Sequence, residues 1–450
     1  MRSAVAHRTW LATALAITVI LAGCTPGSTQ RSSGPTEGPV ETDPARMGTV
    51  TITEWDIRNL PAQSAAQDKL NAAFEAKYPN IKIKRVVKQF TDYERTIKLA
   101  LSSPKTPDVM QVNQGYGDLA KFVKAGLLLP QDNYAKAYGW TGRYNAALLD
   151  QNRMTADGHW GTGQLYGISN QAEVVGLYYN KTLLSKIGLT PPRTLADLQG
   201  DLPKIKAAGM LPIQLGTSDI NGAIHIFGLI QAVLAGPAAV NDLVFGKGDA
   251  SWTDQSTLEA ARTLQSWATQ GYVTPGANGQ NGTAMAAEFG KGHGVFMVDG
   301  NWSAPQLATQ LGPKVGFTVL SKVDGGKPAT EGGLSLLWGI SSRSKHPDAD
   351  AAYLNFINSP AAEDVIARGG DLPAVTPSSF KPVSGLQADV YASLQSVVQE
   401  GSLLPYLDYT TINFYAVLGA NLQELISGRI SPESFTKTLQ TEYTTAKASR

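Results

Sequence analysis

The sequence holds a single cysteine, Cys24, in 450 residues, which excludes an intramolecular disulfide. Charge of one sign is also missing. The 38 basic and 37 acidic side chains leave a formal net charge of +1 and no basic stripe, which argues against a nucleic-acid partner. The five histidines (7, 159, 225, 293, 346) lack metal-ligand spacing, so no metal is expected. No G-x-S-x-G elbow and no Walker A loop occur, and no cofactor is expected. The glycine-rich run Gly290-Lys291-Gly292-His293-Gly294 precedes a strand pattern instead of linking strand to helix, which makes a poor phosphate loop. Charged residues are only 17% of the chain, while Gly, Ser, Thr, Asn and Gln are plentiful, a surface that suits neutral polar ligands.

What is present begins with the N-terminus. Arg2 and Arg8 precede an apolar run, Trp10 to Ile20, and then Leu21-Ala22-Gly23-Cys24. The run is short for a membrane span and has the layout of a signal peptide over residues 1–23. Small residues before a lone cysteine look like a bacterial lipobox, which implies cleavage before Cys24 and a lipid on its sulfur. Residues 24–47, rich in Gly, Pro, Ser and Thr, read as a disordered tether.

From Gly48 onward, strand and helix patterns alternate. Thr49–Thr53 and Ile81–Val87 have period two, and Leu70, Phe74 and Tyr78 mark a helix between them, stopped by Pro79. Strand–helix–strand implies a parallel pair. A helix over Tyr93–Leu101 and a strand over Asp108–Val112 continue the lobe. The pivot of the chain is Tyr166–Leu184, whose middle, Val174–Tyr179, is β-branched and aromatic. It reads as a buried strand crossing between two α/β blocks. Beyond it come strands at Leu211–Leu215, Val295–Val298, Val315–Leu320 and Leu336–Ser341, helices between them, and a helical tail. At roughly 150 residues per domain, the length fits two or three.

Ligands of open α/β sheets sit beyond the carboxyl ends of the strands. Those ends read Glu54-Trp55-Asp56-Ile57-Arg58, Asn113-Gln114-Gly115-Tyr116, Gly216-Thr217-Ser218-Asp219 and Asp299-Gly300-Asn301-Trp302. Carboxylates, amides and Arg bond hydroxyls in pairs, and an aromatic ring packs on the C–H face of a pyranose, so the collection suits a neutral polyol. Trp302, following Asp-Gly-Asn at a strand end, is expected to be a stacking platform, and Trp338, inside a strand, to be core. Asp56 and Arg58 are equally readable as a surface ion pair.

With these loops placed, the chain resembles the solute-binding lipoproteins of bacterial sugar-uptake ABC transporters, the family that includes maltodextrin-binding protein. The segments carrying the resemblance include FEAKYPNIKI (74–83), TPDVMQVNQGYGDLAKFVKAGLLLP (106–130), AEVVGLYYNKTLL (172–184), KGHGVFMVDGNW (291–302) and LWGISSRSKHPDADAAYLNFI (337–357). The resemblance implies an α/β, two-lobe periplasmic-binding-protein fold that closes like a flytrap around a three-segment hinge. Crossings are expected near Ala172–Gly176, Ser321–Asp324 and Asn358. One lobe would be residues 48–173 with 322–357, the other 174–321 with 358–450, helical tail included. The function implied is capture of a mono- or oligosaccharide by a monomer that delivers it to ABC permease subunits, without catalysis.

Carried over by position, the family's ligand contacts fall on Asp56, Arg58, Asn113, Gln114, Tyr116, Glu173, Asp219 and Trp302. The turn Glu331-Gly332-Gly333 is expected to let backbone approach the ligand. His225 and Phe227 lie where relatives place an aromatic. Tyr415 lies where some relatives have a further ring, and Asp371 is a candidate hydroxyl partner. The rivals are a glycoside hydrolase using two of Asp56, Glu173, Asp219 and Asp299, and a binding protein for a polyamine or phosphate ester.

Overall fold

The computed structural model describes residues 39–375, 380, 382 and 384–448. The signal segment and Cys24 lie outside them. The strands are β1 (Val50–Asp56), β2 (Ile81–Val87), β3 (Val109–Val112), β4 (Arg153–Met154), β5 (Gln164–Leu165), β6 (Ala172–Asn180), β7 (Phe296–Gly300), β8 (Val315–Thr318), β9 (Thr330–Leu334), β10 (Leu337–Ile340) and β11 (Leu403–Leu404).

The first lobe is built on a sheet of order β10-β3-β1-β2. β1 runs parallel to β2 and β3, while β10 is antiparallel to β3. The helix Pro61–Lys77 buries Leu70 and Phe74, and the Phe74 ring meets Tyr353 and Phe356 edge-on at 5.2 and 5.3 Å. The inward face of β1 turns polar towards its end, with both Glu54 and Asp56 fully buried. Glu54 is held by amides: Asn71 Nδ2 donates at 2.5 Å and Gln67 Nε2 at 2.8 Å. Burial, with the Asp56 charge nearby, pushes its carboxyl up to about 8.

The second lobe is organised on β6. Its residues Val175–Tyr179 pair with β7 and Leu177–Asn180 with β8, all antiparallel. Its first residues, Ala172–Val174, pair with β9, which runs parallel to β11. The helix Asn221–Ala235 is apolar nearly all round and is buried from Gly222 to Val233. Around it pack the helices Gln255–Thr269 and Phe414–Ile426, the latter against the last helix, Pro432–Ala448. The expected strand Leu211–Leu215 is reduced to bridges from Ile213 to Val273 and Phe296, because Pro212 has no N–H for a ladder.

The crossings differ in part from expectation. The start of β6, Ala172–Val174, where the first was expected, pairs with β9. The second is displaced from Ser321–Asp324: Ser321 N donates to Arg193 O, and β9 still pairs with β6, so the chain reaches the first sheet only at β10. The third is displaced from Asn358. There Ser359 caps another helix, Pro360–Arg368, that packs on Pro61–Lys77, and Leu372 then accepts the Ala172 amide. The end of the expected tether is ordered as well. Pro44–Arg46 forms a short 3-10 turn, Pro44 is buried, and Asn80 Nδ2 donates to Pro44 O at 2.9 Å.

Candidate functional site

The strand ends of both sheets open on one cleft of about 1280 Å3, its mouth included. Of the residues expected at the site, Arg58, Asn113, Glu173, Asp219, His225, Trp302 and Tyr415 line it.

On the first-lobe side, Arg58 is 2% exposed. Its Nη2 donates to Asn170 Oδ1 at 2.5 Å, and its guanidinium lies 5.6 Å over the Trp338 ring. Trp338 is core, as expected, with its indole N–H aimed at Asn170 Oδ1 at 3.4 Å. Arg58 Nε and Nη1 have no hydrogen-bond partner among the described residues. Burial lowers the Arg58 pKa, and the charges of Asp56 and Asp371 oppose it.

Asp56 is not a cleft residue. Its carboxylate takes a bidentate pair from Arg85, with both contacts at 2.8 Å, and Arg85 Nη2 also donates to Arg58 O at 3.0 Å. Asp56 therefore holds the Arg58 backbone, and its ion pair is with Arg85. Asp371 is likewise behind the wall: it accepts from Gln171 Nε2 at 2.8 Å, and burial pushes it up to about 7 against the lowering effect of Arg58.

Gln114 and Tyr116 are structural. Gln114 Nε2 donates to Asn152 Oδ1 and to the Leu334 and Ser335 carbonyls, a bond set consumed within the protein. Tyr116 is buried edge-on against Trp160 at 6.1 Å, and its amide donates to Tyr409 O. Asn113 does reach the cleft, where its Oδ1 accepts from Tyr409 Oη at 2.7 Å.

At the hinge, burial raises the Glu173 pKa, and the carboxylate accepts from Tyr406 Oη at 3.0 Å. Gly332 and Gly333 serve strand pairing, not ligand approach. A Cβ on Gly332 would collide with the Glu173 carbonyl and one on Gly333 with the Gln151 amide. Glu331 is fully buried behind His225.

The second-lobe side is a wall of rings. Trp302 is half-buried and lies over Gly300, where a Cβ would collide with its indole. Its ring centroid is 5.2 Å from His225, which is 5.7 Å from Tyr406, itself 5.4 Å from Tyr409. Beside it Asp299 accepts from Gly300 N at 2.9 Å and Ser303 Oγ at 2.6 Å, and burial pushes it up to about 6. Tyr415 donates to Asp219 O and faces Phe90 across the cleft at 6.5 Å. Asp219 accepts from the Gly282 amide. Phe227 is core against Phe435: two residues on from His225, it points about 200° round the helix.

Tyr406, Asp408 and Tyr409, around the 3-10 turn Leu407–Thr410, are cleft residues that the sequence reading did not place. The available signal was the run Leu404-Pro405-Tyr406-Leu407-Asp408-Tyr409, aromatic and acidic between two helices. The lobes also touch where Trp160 stacks on Phe245 at 4.5 Å. Among the described residues no group of acidic, histidine or cysteine side chains is placed to hold a metal, and no helix is long and apolar enough to cross a membrane.

Residues 58–364 match the model of the bacterial extracellular solute-binding protein family. The chain belongs to that family. It therefore acts outside the cytoplasm. It is 24% identical over 429 residues to an uncharacterized ABC transporter extracellular-binding protein of Pyrococcus horikoshii, covering 92% of this chain and 89% of that one. It is also 24% identical over 304 residues to the multiple sugar-binding protein of Streptococcus mutans, covering 66% and 69%. A solved structure titled chitin oligosaccharide binding protein superimposes with a TM-score of 0.77 at 22% identity, covering 89% of this chain and 99% of that one. That likeness establishes the two-lobe solute-binding fold.

Proposed function

We propose that this protein is the substrate-binding component of an ABC importer, taking up a mono- or oligosaccharide by closure of the two lobes and passing it to a membrane permease. The observation that carries the reading is the pairing of opposite walls in one cleft. Arg58 lines one side and keeps two buried guanidinium nitrogens without a protein partner among the described residues, and half-buried Trp302 lines the other with its ring. A sugar ring has hydroxyls for the first and a C–H face for the second. The multiple sugar-binding relative and the chitin oligosaccharide-binding neighbour agree with this chemistry.

In this reading Arg58, Asn113, Glu173, Asp219, His225, Trp302, Tyr406, Asp408, Tyr409 and Tyr415 meet the ligand. Asp56, Gln114, Tyr116, Phe227, Gly332, Gly333 and Asp371 support them. Lobe one ends near Gln171 and resumes from Ser335 to about Asp371, and lobe two takes the rest of the body. Ligand bridging both lobes favours the closed state by population shift. The protein is a non-catalytic monomer held to the membrane by lipid on Cys24.

The second reading is a cationic solute such as a polyamine. It is favoured by the carboxylates of Glu173, Asp219, Asp299 and Asp408 in the lining, against Arg58 and His225 alone. A thermal-shift panel on the full chain separates the two, since a ligand of the folded state raises the melting temperature. A rise with one sugar class, without new reducing ends, supports the sugar reading. A rise only with spermidine or putrescine moves the protein to the second. New reducing ends from an oligosaccharide would make it a hydrolase.

A further inference from the structure

Glu331 stands on β9, the strand that pairs with the hinge end of β6, and none of its surface is exposed. Its two oxygens face two different parts of the cleft wall. Oε2 lies 3.4 Å from His225 Nδ1, and Oε1 accepts the Leu407 amide at 3.2 Å. A Cβ on Gly228 would collide with this carboxylate. Gly228 follows His225 by three residues on the same helix face, so the missing side chain is what lets Glu331 reach the ring.

The imidazole is held on its other sides by Trp302 and Tyr406. It lines the cleft, and it makes no hydrogen bond through Nε2 to any described residue. We infer that Glu331 is a positioning residue for the ligand site. It fixes a proton on Nδ1 of His225, so that the ring turns Nε2 to the ligand, and through Leu407 it ties the Tyr406–Tyr409 wall to the hinge strand. The part concerning ligand rests on the sugar reading; the ring geometry stands without it.

The charged groups facing His225 are Glu331 from β9, Asp299 from β7, Asp408 from the 407–410 turn and Glu173 from β6. Burial works against a charged imidazole, but Glu331, with Asp299 and Asp408, holds its pKa above the usual value. Below that pKa both nitrogens carry protons, and Nε2–H is a charge-assisted donor to a sugar oxygen. As pH rises through it, the proton on Nδ1 is kept by Glu331 and the one on Nε2 leaves. Sugar affinity therefore falls with rising pH.

The test has two independent parts. First, ring-nitrogen NMR of the ligand-free full chain, with His225→Gln to assign the signal, is expected to show neutral His225 protonated on Nδ1. In Glu331→Gln the apparent pKa is expected to drop by about one unit or more, with mixed tautomers. Gly228→Ala, which displaces the carboxylate without removing it, is expected to act in the same direction. Neutral His225 protonated on Nε2 in the unmodified chain, or a pKa unmoved by both substitutions, overturns the inference.

Second, calorimetric titration with raffinose, N,N′-diacetylchitobiose and xylotriose between pH 5.5 and 8.5 is expected to show a roughly three- to tenfold loss of affinity with rising pH. The loss is expected to vanish in His225→Gln and to move to lower pH in Glu331→Gln. A bound sugar with a flat profile overturns the role toward ligand. If no sugar binds, it is the sugar reading that fails, and the NMR result still decides the role of Glu331 toward the ring.

Discussion

The two walls of the cleft are made differently. The first-lobe wall hangs on buried charge: Asp56 grips Arg85, Arg85 grips the Arg58 carbonyl, and Arg58 keeps two buried donors without a protein partner among the described residues. The second-lobe wall is a run of rings resting on one another, Trp302, His225, Tyr406 and Tyr409, with hydroxyls and carboxylates at the margins. A charged wall gives direction, because a guanidinium bonds only where an oxygen meets its plane. A ring wall gives area, which is tolerant of small shifts. The lesson is that the two should fail in different ways, one through folding and the other through affinity.

The largest expected effect breaks the charged wall. Arg85→Ala leaves Asp56 buried without its cation, and such a loss costs about 3–5 kcal/mol of folding stability. Denaturant unfolding would read it; a shift under 1 kcal/mol would mean that water replaces the pair.

Glu54, two residues earlier on the same strand, sharpens the contrast because amides, not a cation, hold it. Its carboxyl is pushed up to about 8, above its unfolded value. The folded state thus keeps a proton that the unfolded state releases, and stability is lost as pH rises from about 4.5 to about 8. Glu54→Gln should flatten the melting temperature across that window. Asp371 and Asp299 titrate in part of the same window and leave a residual slope. An unchanged slope would remove Glu54 from the account.

On the ring wall, Trp302→Ala is expected to cost about 2–3 kcal/mol of sugar affinity with folding intact. Unchanged affinity by calorimetry would mean that the indole only packs on Gly300. The smallest effect is expected from Tyr409→Phe. It removes hydroxyl bonds to Asn113 and Gln114 that join the two walls, worth about 1 kcal/mol, or fivefold in affinity.

The same contrast explains what could be read from the sequence. Strand-end loops announce themselves, so the sequence puts Arg58, Asn113 and Trp302 just after β1, β3 and β7; Asp219 also lines the cleft, but the strand expected before it is reduced to bridges. The partners within the loops did not follow: Asp56 sits two residues from Arg58 but faces Arg85 on the neighbouring strand, a pairing set by sheet register. Phe227 was misplaced because two steps along a helix reverse the face. Tyr406 and Tyr409 lie on a short turn without periodicity, and only its seat against Asn113 and Glu331 gives it meaning. The α/β alternation was legible from periodicity. The second and third crossings were not, because a crossing is defined by which distant strand or helix the chain packs against.

β6 has one further consequence. Its residues Val175 to Asn180 pair with β7 and β8, while Ala172 to Val174 pair with the single strand β9 and donate one amide bond each to Leu372 and Asn301. Its stiff half belongs to one lobe and its pliant half to the passage between lobes, like an axle set in a bearing at one end. A pair of fluorescent dyes, one on each rim of the cleft, would then turn lobe closure into a single distance and the protein into an optical gauge of its own solute.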